Sequence, residues 1–122
     1  MNNNLFNFNN KVTRGSVWVV DLDPVVGHEQ AKSRPCVVVS VDSYNNGKSQ
    51  LVVVVPCTSK FKPLSWLVEI NPPEGGVTRK SYIITNQLRT VSPERFTGDC
   101  LGFVQSSTLI KIEQRLRILL NL

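Results

Sequence analysis

The chain has 122 residues, 41% hydrophobic and 19% charged, which is enough for one globular domain and too few for two. Its 14 Lys and Arg residues outnumber 9 Asp and Glu residues, and the formal charge of +5 at pH 7 favours an anionic partner, with nucleic acid the first choice. A few excess cations also occur on ordinary solvated surfaces, so charge alone does not decide. The longest apolar run, residues 51–55, is far shorter than the ~20 residues that span a bilayer, so we expect no membrane segment.

The N-terminus is rich in asparagine, with six Asn among residues 1–10. Such a segment contributes little to a core, so we predict a disordered tail over residues 1–12 and a single domain over residues 13–122. The tail has no basic start, apolar centre or cleavage site, so we do not expect it to be a signal peptide. We expect a cytoplasmic protein.

The three cysteines, Cys36, Cys57 and Cys100, are odd in number and widely spaced. We expect buried free thiols, as is typical of proteins in a reducing cytosol. With one histidine and no paired Cys spacing, the chain offers no recognisable set of zinc ligands. We therefore expect neither a metal nor a cofactor.

Three runs rich in β-branched residues predict strands in the first half of the chain: residues 16–22, 36–41 and 50–58. A polar loop over residues 25–34 separates the first strand from the second. The turn signal Asn45-Asn46-Gly47 predicts a hairpin of the second and third strands, because Asn and Gly tolerate positive φ. Arg34 and Thr58 would then lie at the same open end of that hairpin.

The second half of the chain predicts further short strands over residues 66–70, 81–85 and 87–91, and a short helix over residues 93–96. From Ser107 onwards, apolar residues recur at helical spacing and predict an amphipathic C-terminal helix: Leu109, Ile112, Leu116 and Leu119. Five or six short strands and one terminal helix indicate a mainly β domain, built as a strongly curved sheet or a small barrel.

Two polar segments are candidate sites. The loop over residues 25–34 contains the only histidine, His28, beside other polar and charged side chains. In residues 55–63 a buried strand emerges into hydroxyls and two lysines, which suit a phosphate group because Ser and Thr donate hydrogen bonds and Lys neutralises charge. On composition alone, an ordinary exposed loop and an ordinary strand-terminal turn explain the same residues.

Three motifs in order carry a family resemblance: G-H-E-Q-A-x-x-R-P within residues 27–35, V-P-C-T-S in residues 55–59, and N-Q-L-R-T-V in residues 86–91. With the strand that precedes them, they resemble the MazF/PemK (Kid-like) family of toxin ribonucleases from residue 14 to about residue 120. The first motif is specific, and the combination in this order identifies the chain as a member of that family.

The resemblance implies a small SH3-like barrel with a C-terminal helix, assembled as a homodimer. It also implies a toxin of a type II toxin-antitoxin system, which cleaves single-stranded RNA, including mRNA, at short sequences without a metal and so inhibits translation and growth. A cognate antitoxin protein would silence it, and DNA would be contacted only indirectly, through the toxin-antitoxin complex. No membrane partner is implied.

Two residues carry over from the family's motifs as catalytic: Arg34 of the R-P pair and Thr58 of the V-P-C-T segment. His28 carries over as a candidate for proton transfer, and Glu29 and Gln30 carry over as substrate-facing residues. We add as candidate substrate-binding residues the neighbouring polar side chains of the motifs: Lys32, Ser59, Lys60, Asn86 and Gln87.

The chain departs from the family at two positions. The residue before the Gln of Q-L-R-T is usually acidic, and in the Kid-like branch that acid and a nearby arginine are assigned to catalysis. This chain has Asn86 and Ile84 there. The assignment to Arg34 and Thr58 is therefore the safer one, and we expect Asn86 to affect specificity, since an amide both donates and accepts hydrogen bonds.

Metal-free RNA cleavage needs a base for the 2′-hydroxyl, stabilisation of the phosphorane charge, and an acid for the 5′-oxygen. Arg34 suits stabilisation, because its planar guanidinium binds two phosphate oxygens and stays charged. A histidine ordinarily titrates near pH ~6.5, so His28 is either the acid or base or a residue that only positions RNA, and Glu29 is an alternative base. The expected products carry 5′-hydroxyl and 2′,3′-cyclic phosphate or 3′-phosphate ends.

We expect RNA binding to weaken as the salt concentration rises, because the binding depends on cations that neutralise RNA phosphates. The candidate cations are Lys32, Lys60, Lys62 and Arg89. Phe61 is a candidate for base stacking, whereas Trp66 heads an apolar strand and is expected in the core.

Two alternatives to a ribonuclease remain open from the sequence. The same small-barrel family includes toxins that act on a protein target, gyrase, without cleaving RNA. An inactive relative that only binds an antitoxin and autoregulates transcription is the other alternative, and Asn86 is its only indication. The intact R-P and V-P-C-T elements favour cleavage, because a surface that only binds protein does not need them.

Overall fold

The computed structural model describes residues 12–122. Within that range the chain forms seven strands: β1 (Ser16–Asp21), β2 (Ser33–Val38), β3 (Val52–Thr58), β4 (Leu67–Ile70), β5 (Ser81–Ile84), β6 (Arg89–Val91) and β7 (Phe96–Phe103). It also forms two α-helices, α1 (Asp42–Asn45) and α2 (Ser106–Leu120), and three 3-10 segments, Glu74–Gly76, Thr85–Gln87 and Pro93–Arg95. None of the helices within residues 12–122 has the length and apolar composition of a membrane-spanning segment. The mainly β class with a C-terminal helix is confirmed.

The strands form one antiparallel sheet in the order β4-β5-β3-β2-β1-β7, and β6 also pairs with β3. One edge of β3 pairs with β6 over Val52–Val54 and with β5 over Cys57 and Thr58. The pairing on this edge is interrupted at Val55 and Pro56, and proline has no N–H to donate to a neighbouring strand. The 3-10 segment Thr85–Gln87 connects β5 to β6, the two strands that pair with β3 on either side of this gap.

The two faces of the sheet bury separate core clusters. Neighbours on β1 alternate between them, with Val17 in one cluster and Trp18 in the other, as the two-residue period of a strand requires. The rings of Trp18 and Phe96 lie 5.2 Å apart, centroid to centroid, in the first cluster. Ile112 of α2 packs in the second. The helix therefore covers the face that contains Val17.

The predicted tail, residues 1–12, lies outside the described residues except for Val12. The Val12 side chain is buried in the first core cluster. The strands of the predicted hairpin pair as expected, with Cys36 opposite Pro56, but β2 begins at Ser33 and continues through Pro35, earlier than predicted. It does so because Pro35 and Arg34 pair with Val19 and Val20 of β1.

The connection that contains the turn signal Asn45-Asn46-Gly47 is longer than a simple hairpin turn. The chain instead forms α1 and then turns at Asn46. The buried Asn45 donates from Nδ2 to the Ser40 carbonyl oxygen over 2.8 Å, and Asn46 donates from Nδ2 to the carbonyl oxygens of Val12 and Asp42 over 3.1 and 3.0 Å. These side-chain hydrogen bonds stabilise a connection between β2 and β3 that is longer than the turn signal alone indicates.

The strand β7 was not predicted. Its sequence, F-T-G-D-C-L-G-F, contains two glycines and an aspartate, which have low strand propensity. It forms because it pairs with β1, with a register shift between Val17 and Val19, and Gly98 adopts a φ of +74°. Tertiary pairing here outweighs local propensity.

The two predicted helical segments of the C-terminal part are confirmed. Ser92 accepts a hydrogen bond from the Glu94 N–H and begins the 3-10 turn Pro93–Arg95. In α2, Ile112 is buried and Leu109 and Leu116 pack partly against the second cluster. Leu119 was expected on the same apolar face but is 37% exposed, because the last turn of α2 lies beyond that cluster.

Candidate active site

An open cleft of about 690 Å³ lies where β2 begins and β3 ends. Arg34 of β2 and Thr58 of β3 both line it, together with Gln30, Asn86 and Gln87. The β2–β3 register explains this, since the pair Cys36 and Pro56, continued by two residues, sets Arg34 opposite Thr58. The two residues that the sequence placed at one end of the hairpin therefore share one cleft.

The Arg34 side chain is half-buried and held by two carbonyl oxygens. Its Nε donates to the Ala31 oxygen over 3.0 Å, and its Nη1 donates to the Cys57 oxygen over 3.2 Å. The other guanidinium N–H groups have no partner among residues 12–122, so they remain for an anion. Because the two bonds set the plane of the guanidinium, little conformational freedom is lost when it binds a phosphate.

Thr58 ends β3 and is half-buried. Its Oγ1 accepts a hydrogen bond from the Lys60 N–H over 3.2 Å, and its own hydroxyl hydrogen remains for another acceptor. Ser59 and Lys60 follow it as exposed residues that line the same cleft. A hydroxyl donor and the Arg34 guanidinium thus lie on one wall, as phosphate recognition requires.

The charge of the cleft is one-sided. Among the described residues that line it, four are cations and none is a carboxylate; the cations are Arg34, Lys60, Lys62 and Arg79. Such a surface attracts an anionic ligand, and no carboxylate in its lining repels that ligand.

Sequence analysis missed Arg79, which follows the 3-10 segment Glu74–Gly76. Gly75 and Gly76 have φ of +67° and +74°, and a Cβ on Gly76 would come within 2.1 Å of the Leu101 carbonyl oxygen. Only glycine fits at position 76. The close contact of Gly76 with Leu101 of β7 therefore fixes the start of the segment in which Arg79 lies. The pair Gly75-Gly76 was the only sequence signal of this close approach. Nothing in the sequence indicated that the segment after it lies beside Thr58.

The loop between β1 and β2 is held by several hydrogen bonds. Asp23 accepts from the Lys32 N–H over 3.0 Å, and Glu29 accepts from the Val26 N–H over 2.7 Å. At the base of the loop, Arg89 donates from Nη1 to the Leu22 carbonyl oxygen over 2.6 Å. The loop is therefore a defined support for its side chains.

A second cleft, of about 410 Å³, contains the two acid-base candidates of this loop. His28 and Glu29 line it and are not among the residues that line the first cleft. Three residues line both clefts and form their common wall: Gln30, Asn86 and Gln87. Lys32 lines neither cleft and is exposed, with a φ of +65°.

The two aromatic candidates for stacking differ in exposure. Phe61 is 65% exposed, with its ring 5.4 Å from that of Tyr82. Trp66, expected in the core, is only half-buried, because it directly precedes the edge strand β4. Its carbonyl oxygen accepts from Thr85 Oγ1 over 2.6 Å, which fixes the start of the 3-10 segment that contains Asn86.

The cysteines are free thiols, as expected, although only Cys36 and Cys57 are buried and Cys100 is half-buried. Burial raises the pKa of the Cys57 thiol to about 12, against the opposing effect of Arg34. Burial also raises the pKa of the Cys36 thiol far above its ordinary value, with a smaller contribution from Cys57 in the same direction. Both thiols are therefore protonated at neutral pH and are poor nucleophiles.

Within residues 12–122, no three side chains of the types His, Cys, Asp and Glu come together to form a group that could hold a metal ion. The cleft at Arg34 instead offers guanidinium, ammonium, hydroxyl and amide groups.

The fold and the cleft together define a small antiparallel β protein with a C-terminal helix and a cationic cleft suited to phosphate groups. The chain belongs to the PemK-like, MazF-like toxin family of type II toxin-antitoxin systems, whose family model matches residues 13–120. The resemblance carried by the three motifs is thus confirmed.

Relatives support the same membership, and solved structures share the fold. The chain is 34% identical over 113 residues to the endoribonuclease EndoA of Bacillus subtilis, covering 91% of this chain and 96% of the relative. MazF from Deinococcus radiodurans has the same fold, with a TM-score of 0.81 at 24% identity over 93% of this chain and 99% of that one. An endoribonuclease from a mycobacterial species, in complex with its cognate antitoxin, gives a TM-score of 0.73 at 26% identity over 91% and 96% of the two chains.

Proposed function

We propose that this chain is the endoribonuclease toxin of a type II toxin-antitoxin system and that it cleaves single-stranded RNA in the cleft at Arg34. One observation carries the proposal: the cleft has four cations and no carboxylate among its described residues, arranged around the fixed Arg34 guanidinium and the Thr58 hydroxyl. Family membership and the endoribonuclease relative support it.

In the proposed reaction the RNA 2′-hydroxyl gives its proton to a solvent water molecule in the open cleft, and its oxygen attacks the adjacent phosphorus. The bond from phosphorus to the 5′-oxygen breaks and the 5′-oxygen takes a proton from water, so the products carry 2′,3′-cyclic phosphate and 5′-hydroxyl ends. Arg34 stabilises the negative charge that develops on the phosphorane oxygens, and Thr58 donates a hydrogen bond to one of them. Lys60, Lys62 and Arg79 bind neighbouring phosphates. No step in this scheme uses a metal ion.

The placement of His28 and Glu29 in the second cleft supports a role in binding RNA, rather than in moving a proton at the phosphate held by Arg34. Glu29 already accepts a hydrogen bond from the Val26 N–H, which occupies one of its carboxylate oxygens. Of the two roles that the sequence leaves open for His28, we therefore propose positioning.

The proposed partners are a cognate antitoxin and a second copy of the chain. The antitoxin proposal rests on family membership and on the mycobacterial relative solved with its own antitoxin. For the homodimer, the support is a group of exposed apolar side chains on and just after α2: Ile110, Ile118, Leu119, Leu120 and Leu122. Cleavage of mRNA in the cytoplasm would inhibit translation and arrest growth.

The test is incubation of the purified protein with a long RNA of mixed sequence in EDTA, followed by mapping of fragment ends. Cleavage at one recurrent short sequence, leaving 5′-hydroxyl ends, is the expected result. Strict dependence on a divalent metal, or 5′-phosphate ends, would overturn the mechanism. Growth arrest with DNA breaks and intact RNA would instead indicate action on a protein target such as gyrase.

A further inference from the structure

We infer that Asp23 is a positioning residue for RNA cleavage and that it orients the Arg34 guanidinium through one peptide group. That peptide group joins Ala31 to Lys32. The inference rests on the proposed function, in which Arg34 stabilises the phosphorane. Asp23 is exposed and lines neither the Arg34 cleft nor the second cleft, so it acts on Arg34 and not on the RNA.

The peptide group between Ala31 and Lys32 is hydrogen-bonded at both of its polar atoms. Its N–H, that of Lys32, donates to Asp23 Oδ1 over 3.0 Å. Its carbonyl oxygen, that of Ala31, accepts from Arg34 Nε over 3.0 Å. A trans peptide group is planar, and its N–H and C=O point in opposite directions. The bond to Asp23 therefore sets the direction in which the Ala31 oxygen faces Arg34.

Lys32 has an unfavourable backbone conformation. Its φ is +65°, in the left-handed region that a residue with a Cβ seldom adopts. Two hydrogen bonds hold it there, one from its N–H to Asp23 and one to its carbonyl oxygen from the Leu22 N–H over 3.0 Å. Without the Asp23 carboxylate, Lys32 is free to relax to a negative φ. The peptide group then turns, and the Ala31 oxygen no longer faces Arg34.

Asp23 is itself fixed at the base of the β1–β2 loop. Its N–H donates to Asp21 Oδ1 over 3.1 Å. Its carbonyl oxygen accepts from Arg95 Nη1 over 2.7 Å. Asp21 ends β1 and Arg95 ends the 3-10 segment Pro93–Arg95, so regular structure holds the acceptor in place. A side chain supported in this way fixes the group it binds more precisely than a mobile one.

The charge of Asp23 makes the inference easy to separate from an electrostatic effect. A carboxylate one peptide group away from Arg34 repels RNA phosphates, so its removal by itself should strengthen RNA binding. A fall in kcat on its removal would therefore come from the lost hydrogen bond. Asparagine at this position keeps a side-chain oxygen as acceptor and lacks the charge.

The test compares Asp23→Ala with Asp23→Asn. Asp99→Ala is the matched control, because it also removes an exposed carboxylate that lines neither cleft. Kinetics in EDTA on an RNA with one mapped cleavage site give kcat and KM separately. A second measurement needs no catalysis: NMR follows the exchange of the Arg34 Nε–H with water, after assignment of its signal by its absence in Arg34→Lys.

In Asp23→Ala we expect kcat to fall about tenfold or more while KM stays the same or falls, because the stabilising group is misplaced. Exchange of the Arg34 Nε–H should become about tenfold faster, because its acceptor is no longer held. Asp23→Asn and Asp99→Ala should stay within about twofold of the wild type in both measurements.

Wild-type kcat or wild-type exchange in Asp23→Ala would overturn the inference. So would a loss of kcat in Asp23→Asn equal to that in Asp23→Ala, because the acceptor oxygen is retained there. In each of these cases the wild type still cleaves RNA and the proposed function stands. If the wild type cleaved no RNA, the proposed function would fail, and a positioning role in that reaction would fail with it.

Discussion

The Gln87 side chain accepts a hydrogen bond from the Gln30 backbone N–H over 2.7 Å, although the two residues are 57 positions apart in the chain. This bond joins the β1–β2 loop to the 3-10 segment that crosses the gap beside Pro56. Because both residues line both clefts, the bond fixes the wall that the two clefts share.

Replacing Gln87 with alanine should loosen the loop without unfolding the protein. The Gln30 N–H loses its partner, which costs about 1 kcal/mol for a part-buried bond. Hydrogen exchange at the Gln30 amide should therefore become faster by about fivefold, and KM for RNA should rise. Gln114→Ala, at an exposed position of α2, is the control and should change neither measurement. Unchanged exchange at Gln30 in Gln87→Ala would show that the bond does not hold the loop.

Arg79 and Lys80 are adjacent cations with different expected roles. Arg79 lines the Arg34 cleft, whereas Lys80 does not and lies 3.4 Å from Glu69 in an ion pair. In Arg79→Ala, the slope of log binding constant against log salt should fall by about 0.7, the value for one phosphate contact to single-stranded nucleic acid. Lys80→Ala should retain nearly the wild-type slope. Equal slopes for the two variants would remove Arg79 from the RNA-binding surface.

The buried Cys57 thiol predicts a loss of stability in alkali. Its pKa is raised from the ordinary 9.0 to about 12, so above pH 9 the unfolded chain releases a proton that the folded chain retains. The thiol's contribution to stability is complete below pH 9 and is lost as pH rises towards 12. In Cys57→Ala, the fall in unfolding free energy with pH should be shallower by up to about 1.4 kcal/mol per pH unit.

Denaturant unfolding of the wild type and variants across this pH range checks the prediction. Val55→Ala is the matched control, because it also truncates a buried side chain of the second core cluster but removes no titrating group. It should lower stability and keep the wild-type slope. If the slope of Cys57→Ala equals that of Val55→Ala, the thiol is not the titrating group responsible.

The exposed end of α2 predicts the behaviour of the proposed homodimer. Ile118 is 73% exposed, so aspartate there should not disturb the core of the folded chain. In the dimer it would bury a charge against apolar side chains, which is strongly unfavourable. Sedimentation should show Ile118→Asp as a monomer and the wild type as a dimer. Lys48→Asp, at an exposed position outside α2, should remain dimeric, and a dimeric Ile118→Asp would exclude this surface as the interface.

The sequence predicted those parts of the fold and site that depend on local pattern. The hairpin of β2 and β3 follows from two β-branched runs, and its register brings Arg34 and Thr58 to one cleft. Local pattern does not report long-range pairing, so β7, a glycine-containing strand that forms by pairing with β1, was missed. For the same reason the approach of Gly76 to Leu101, which positions the segment before Arg79, was not foreseen.

The division of the polar residues between two clefts also lay beyond sequence reasoning. His28 is six residues before Arg34, and the sequence left open whether it acts at the cleaved phosphate or only positions RNA. The Gln30 to Gln87 bond places a wall between them, and that wall includes a segment from a distant part of the chain. Motif spacing contains no information on such a contact.

Catalysis in the Arg34 cleft is tested by comparing wild type, Arg34→Ala and Thr58→Val on an RNA that contains one mapped cleavage site, in EDTA. We predict that each variant lowers kcat by at least about 100-fold, because each removes a donor to the phosphorane oxygens. RNA binding should persist through Lys60, Lys62 and Arg79, which remain at the cleft. Cleavage by both variants at the wild-type rate would contradict the account and show that the reaction takes place elsewhere on the protein.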